Sequence, residues 1–165
     1  MTMDRLPPGH IIRPMQLNDL AEVLAIESAS QSHPWTERQF VQELENSASS
    51  IDLYCCQNGP IGYICSWLIA GELQIQNLAV ANEFRRHGIA ARLLRLIISR
   101  SSKHGLDSAW LEVGVGNRAA VALYEKTGFS IVGRRSGYYH DGEDAYVMSY
   151  QPSQQHTPSR TDQES

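Results

Sequence analysis

The sharpest chemical feature of the sequence is the run Arg85-Arg86-His87-Gly88-Ile89-Ala90, set between a strand-like apolar stretch and a helical one. A helix start leaves several backbone N–H groups unpaired and carries roughly half a positive charge. Small residues at Gly88 and Ala90 let an anion come close to the main chain, and the arginines upstream add fixed charge. In physical terms this is a cradle for phosphate or pyrophosphate. The plain alternative is a helix start with solvated arginines. The run matches neither G-x-x-x-x-G-K-[ST] nor G-x-G-x-x-G, so nucleoside triphosphates and dinucleotides fit less well. A second feature is Glu112, inside Trp110-Leu111-Glu112-Val113. In a strand Trp110, Glu112 and Gly114 share one side, and Leu111, Val113 and Val115 the other. A glutamate there is costly unless it is useful or paired, the alternative being a solvated carboxylate at an edge. Tyr124 follows Val121 at helical spacing, which by itself reads more readily as a core aromatic.

The thiols and imidazoles point elsewhere. Cys55, Cys56 and Cys65 form no C-x-x-C pair and the histidines are scattered, so no metal site is expected. Three buried, reduced thiols are the reading that fits, and with no export signal they imply a cytoplasmic protein.

These residues occur in an order that resembles the GCN5-related N-acetyltransferase (GNAT) superfamily. Arg85-x-x-Gly88-x-Ala90 after Asn77-Leu78-Ala79-Val80 looks like its acetyl-CoA motif. Trp110-Leu111-Glu112-Val113, Asn117-Arg118-Ala119-Ala120 and Leu123-Tyr124-Glu125-Lys126-x-Gly128-Phe129 are similar to the ribosomal-protein-alanine N-acetyltransferases (RimI type). So are His33-Pro34-Trp35-Thr36, Tyr138-Tyr139 and Asp141-Gly142-Glu143-Asp144-Ala145. The resemblance spans residues 10–150 and implies acetyl-CoA as co-substrate, with no metal. It implies cofactor contacts at Leu78, Ala79 and Val80, at Arg86, His87, Gly88, Ile89, Ala90 and Ala91, and at Asn117. It implies Glu112 as general base, Tyr124 as general acid, and a peptide site shaped by Tyr138 and Tyr139. The acceptor it implies is the N-terminal alanine of a ribosomal protein. A lysine or small-amine acceptor, or a CoA-binding, ribosome-docking module without catalysis, are the rival readings. Two places depart from the pattern: Gly114 stands where the family usually has Arg, and Gly116 where it has Ser.

The elements that must position these groups follow from local pattern. Asn18-Asp19 offers a cap for a helix striped by Leu20, Val23, Leu24 and Ile26. Thr36-Glu37-Arg38-Gln39 has capping-box spacing before Phe40, Val41 and Leu44. Residues 51–57 and 61–70 read as strands joined across Asn58-Gly59, and 72–80 as a third strand. Residues 89–103 read as a helix that Gly105 ends. A strand over 109–115 precedes a helix over 118–127, capped by Asn117 and stopped by Gly128. Residues 130–133 and 145–150 are the last strands. The sum is a mixed α/β domain in three layers, a central mixed sheet of about six or seven strands flanked by helices, as in the GNAT fold.

Composition bounds the rest. The chain has 165 residues, the length of one ordinary domain, with 42% hydrophobic and 19% charged residues. A net charge of −4 argues against a surface built to grip nucleic acid, although Arg85, Arg86, Arg92 and Arg95 could form a local patch. The longest apolar stretch, residues 61–70, is far short of the ~20 residues that cross a bilayer. We expect a flexible start over residues 1–9, a domain over 10–150 and a disordered tail over 151–165. We expect a monomer with no membrane partner.

Overall fold

The computed structural model describes residues 5–153, so most of the tail expected to be disordered lies outside the described residues. The strands are β1 (Ile11–Pro14), β2 (Ser49–Cys56), β3 (Gly59–Ile69), β4 (Glu72–Val80), β5 (Ser108–Gly114), β6 (Ser130–Arg135) and β7 (Ala145–Tyr150). They form one seven-stranded sheet in the order β1-β2-β3-β4-β5-β7-β6. Every neighbouring pair is antiparallel except β4 with β5. The helices are α1 (Leu20–Ser30), α2 (Glu37–Glu45), α3 (Ile89–Ser102) and α4 (Arg118–Lys126). The mixed three-layer α/β architecture read from the sequence is therefore the one observed.

Two cores hold the layers together. On one face Val23 and Ile26 of α1 and Phe40 of α2 pack on Leu53, Tyr63 and Cys65. On the other, Leu93, Leu94 and Ile97 of α3 pack with Tyr124 and Phe129 against Ile64, Leu73, Leu111 and Met148. Among the described residues no helix is long and apolar enough to cross a membrane.

Local chemistry sets most boundaries. The Thr36 hydroxyl accepts from Gln39 N at 3.3 Å while Thr36 N donates to Gln39 Oε1 at 2.8 Å, a closed capping box. Asn117 Oδ1 accepts from Ala120 N at 3.2 Å at the start of α4, and Gly128, at φ +103°, turns the chain out of it.

Three details differ from the sequence reading. The β2–β3 turn is Gln57-Asn58, with Cys56 facing Gly59, one residue earlier than expected. Asp19 does not cap α1 with its side chain; its carboxylate accepts from Gln16 N and from both terminal nitrogens of Arg13, each at 2.8 Å. Cys55 and Cys65 are buried free thiols, but Cys56 is only half-buried. Burial pushes the Cys65 thiol up to about 12, so it stays protonated and inert.

Candidate active site in the split between two parallel strands

Strands β4 and β5 pair over only three positions, Glu72 with Ser108, Leu73 with Ala109 and Gln74 with Trp110. Beyond them the strands part. The β3–β4 register skips from Cys65–Asn77 to Ser66–Ile75, leaving Gln76 as a bulge residue. A bulge bends its strand and changes which side its residues face. Leu73 and Ile75 lie with the α3 core, and so do Leu78 and Val80, whereas Ala79 belongs to the α1–α2 core. β5 meanwhile stays paired with β7 as far as Gly114–Ala145. The split leaves a cavity of about 540 Å³ walled by Ile75–Leu78, Leu111–Gly114, the end of α1, the α1–α2 loop and α4.

The exposed edge of β4 is satisfied by side chains in place of a neighbouring strand. Gln31 Nε2 donates to Leu78 O at 3.0 Å, and Ser30 Oγ to Val80 O at 3.2 Å. Leu78 N donates to Asn77 Oδ1 at 3.0 Å. These are exchangeable partners, so a ligand with amide groups can dock along this edge at little net loss of hydrogen bonding.

Glu112 and Tyr124 both line the cavity. The alternation expected for β5 holds: Ala109, Leu111 and Val113 are buried, and Trp110, Glu112 and Gly114 face the other side. Glu112 sits on an interior strand of the sheet, with its side chain 31% exposed and Oε1 3.3 Å from Arg135 Nη2. Tyr124 comes from the opposite layer. Burial, with the Tyr139 phenol adding to it, pushes its hydroxyl above the ordinary tyrosine value. Its ring packs edge-on against Phe129, so the core role that spacing suggested and a place at the site coexist.

Of the two tyrosines in the β6–β7 loop, Tyr139 reaches the cavity and Tyr138 does not. Tyr139 stacks on the His33 ring at 4.3 Å and 9°. Burial, then Tyr138, Glu143 and Glu112, pushes its hydroxyl up to about 12. Tyr138 is 46% exposed and packs edge-on against Tyr139. His33 Nε2 lies 2.9 Å from Asp141 Oδ2, a close approach without an aligned hydrogen bond. His33, Asp141 and Glu143 bring ligand-type atoms within 4.8 Å of one another, a grouping the scattered histidines of the sequence did not suggest.

The two glycines that depart from the family pattern have a structural counterpart. A Cβ on Gly114 would stand 2.6 Å from Glu143 Oε1, and that oxygen accepts from Gly116 N at 3.1 Å. The Glu143 carboxylate thus fills the space a side chain at 114 would take.

The run around Gly88 lies outside the cavity lining: residues 85–88 are on exposed surface before α3, whereas Ile89 is buried in the α3 core with Ala90 packed against it. Gly88 has φ +74° and Arg86 φ +65°, both left-handed. No side chain caps α3 and its first turn holds no acidic residue. The helix therefore begins with unpaired N–H groups. A Cβ on Gly88 would meet nothing within 4 Å. Of the other residues expected to touch cofactor, Leu78 and Asn117 line the cavity, while Ala79 and Val80 bury their side chains in the two cores and offer only backbone.

Sequence reasoning missed a buried network within the cavity wall. Glu27, on α1, accepts with Oε1 from Trp35 N at 3.0 Å and from Asn77 Nδ2 at 2.9 Å. Asn77 Oδ1 in turn accepts from Gln31 Nε2 at 2.9 Å. The missed signal was helical spacing: Glu27 stands four residues after Val23 and so falls on the buried face of α1.

Comparison with known proteins places this arrangement. The acetyltransferase (GNAT) family matches over residues 19–129. The [ribosomal protein bS18]-alanine N-acetyltransferase of Escherichia coli K12 is 32% identical over 142 residues, covering 84% of this chain and 95% of its own length. The crystal structure of the E. coli ribosomal-protein-S18-alanine N-acetyltransferase superposes with a TM-score of 0.79 at 29% identity, covering 86% of this chain and 93% of that one. An N-alpha-acetyltransferase of Saccharolobus solfataricus is 31% identical over 151 residues, covering 84% and 90%. The NatC complex bound to Gag peptide and CoA superposes with a TM-score of 0.73 at 25% identity, covering 87% and 99%.

Proposed function

The chain belongs to the GNAT acetyltransferase family, and from that premise we propose that it moves the acetyl group of acetyl-CoA to the α-amine of a protein N-terminus, an alanine on a ribosomal protein. The observation that carries this reading is the cavity in the β4–β5 split, where a strand carboxylate and a buried phenol from opposite layers face one space. The names of the relatives support the acceptor: the E. coli protein acts on the alanine of bS18 and the archaeal one on α-amines.

The residues present fit the donor. The unpaired amides at the start of α3, with open space in front of Gly88, suit a pyrophosphate. The edge of β4 from Leu78 to Val80 offers backbone groups to an amide-bearing arm, and Asn117 lines the same cavity. Acetyl-CoA supplies the thioester carbon that the amine attacks.

The proton balance closes within the site. A peptide α-amine has a pKa near 8, so at pH 7 about one in ten is already the neutral nucleophile. Glu112 takes the proton that the amine loses as the C–N bond forms and the C–S bond breaks. The thiolate leaves with a conjugate pKa of about 8.5. Full proton transfer from Tyr124 would be uphill, since burial has raised its hydroxyl. Tyr124 therefore acts as a fixed hydrogen-bond donor to the departing sulfur, and the proton shed by the amine balances the released CoA thiol. Most of the acceleration comes from holding amine and thioester in contact.

The test is a panel of short peptides differing only in the first residue, incubated with acetyl-CoA and read by mass spectrometry. Acetylation of the peptide that starts with Ala, in preference to those starting with bulky residues, is the expected result. Equal transfer to all, or transfer only to side-chain amines, would overturn the alanine assignment.

A further inference from the structure

One carboxylate of the cavity wall has no task in that chemistry. Glu27 is 1% exposed, a charged residue in the interior of α1. Its Oε1 is doubly satisfied by Trp35 N and Asn77 Nδ2, while Oε2 is enclosed and has no hydrogen-bond partner. A buried carboxylate oxygen with no donor is costly enough to call for an explanation. No lysine or arginine pairs with Glu27 among the described residues. Burial raises its pKa, the direction that a bound cation would reverse.

The surroundings narrow the partner. Glu27, Glu112 and Glu143 all line the cavity, and no lysine or arginine among the described residues does. Glu112 is already matched by Arg135 at 3.3 Å, and Glu143 Oε1 by Gly116 N at 3.1 Å. Of the three, Glu27 is the one that keeps an enclosed oxygen without a partner. An α-amine arrives mostly as an ammonium ion at pH 7, and it gives up water on entering. Its bonds to Trp35 N and Asn77 fix Glu27 between the α1–α2 loop and β4, so the oxygen is held in place before any ligand binds.

We infer that Glu27 is the residue that binds the acceptor's ammonium group: Oε2 accepts an N–H of the incoming ammonium and, once that ion has lost one proton to solvent, an N–H of the neutral amine, while Glu112 takes the second proton as the C–N bond forms. This rests on the acetyl-transfer reading of the cavity and adds a second carboxylate with a separate duty. Glu27→Gln can keep the Oε1 contacts with its carbonyl, but it places an N–H donor where the free oxygen stands.

The experiment compares wild type and Glu27→Gln in steady-state acetylation of an Ala-starting peptide, with calorimetric binding of the same peptide and thermal melting alongside. The expected result is a peptide KM and Kd raised at least tenfold, with the acetyl-CoA KM and the melting temperature little changed. An unaltered peptide KM and Kd would overturn the inference. A wild type that neither binds nor acetylates the peptide would sink the N-terminal reading instead. The same comparison with a lysine amide or a polyamine then decides for Glu27, because any primary ammonium engages the same oxygen. If the glutamine variant does not fold, Glu27→Asp, which keeps the charge and withdraws it by one methylene, should show the same rise in KM.

Discussion

Replacing Gly88 by valine should remove acetyl-CoA binding while leaving the fold. Gly88 has φ +74°, and its Cβ position opens into space in front of the α3 amides. An L-residue held in that region costs about 1–2 kcal/mol. For a chain of this length that lowers the melting temperature by about 2–8 °C. Ligand at about 100 times its dissociation constant adds about 2.7 kcal/mol to the wild type, a rise of about 5–11 °C. The introduced isopropyl group would stand where the phosphates approach, so the variant should start lower and gain nothing from acetyl-CoA. Gly105, near the other end of the same helix, is the control: it has φ +80° and also faces open space. Gly105→Ala should lose comparable stability and keep the whole ligand-induced rise. Differential scanning fluorimetry with and without acetyl-CoA reads both. A Gly88→Val protein that shows the wild-type rise would refute the cradle.

Glu112→Gln should lower kcat by roughly 10²–10⁴ with acetyl-CoA affinity unchanged, measured by steady-state kinetics and calorimetry. Tyr124→Phe should lower kcat by a constant factor across pH 7–9. Burial has raised the hydroxyl above its usual value of about 10, so it stays protonated there and contributes no basic limb of its own. Tyr139→Ala should raise peptide KM more than Tyr138→Ala, since Tyr139 lines the cavity and stacks on His33. Asp19→Asn should cost about 1–3 kcal/mol in denaturant unfolding near neutral pH, because the buried carboxylate accepts from half-exposed Arg13. Those bonds hold the folded Asp19 below the ordinary carboxylate value. Its stabilisation is therefore complete above the unfolded value of about 4 and is lost as pH falls through the lower folded one, so wild type and variant should converge in acid.

What the sequence made legible was local. The Thr36 box, the Asn117 cap and Gly128 are decided within a few residues, and the alternation that turns Glu112 away from Leu111 and Val113 needs only the period of a strand. The split that makes the site is not local. It comes from the Gln76 bulge and from β4 and β5 losing each other after Gln74, which depends on the register of β3 and β7. The Glu27–Asn77 and Gln31–Leu78 bonds join residues 50 and 47 positions apart, and no spacing rule reaches so far. Gly114 and Gly116 read as missing contacts in one dimension. In three, their absent side chains are the room that Glu143 occupies. Tyr138 and Tyr139 are adjacent and chemically alike, and only the turn of the β6–β7 loop decides which one enters the cavity.

A single peptide separates the two acceptors: an N-terminal alanine with a free amine and a lysine several residues inside, offered with acetyl-CoA at pH 7. Tandem mass spectrometry at low conversion gives the ratio of α- to ε-acetylation. The amine pKa values, near 8 and near 10.4, alone favour the neutral α-amine more than about 100-fold. Acetyl should appear on the alanine nitrogen, at a ratio at least that large, and the rate of α-acetylation should collapse in Glu112→Gln. Preferential modification of the lysine, or an undiminished rate in Glu112→Gln, would contradict this expectation.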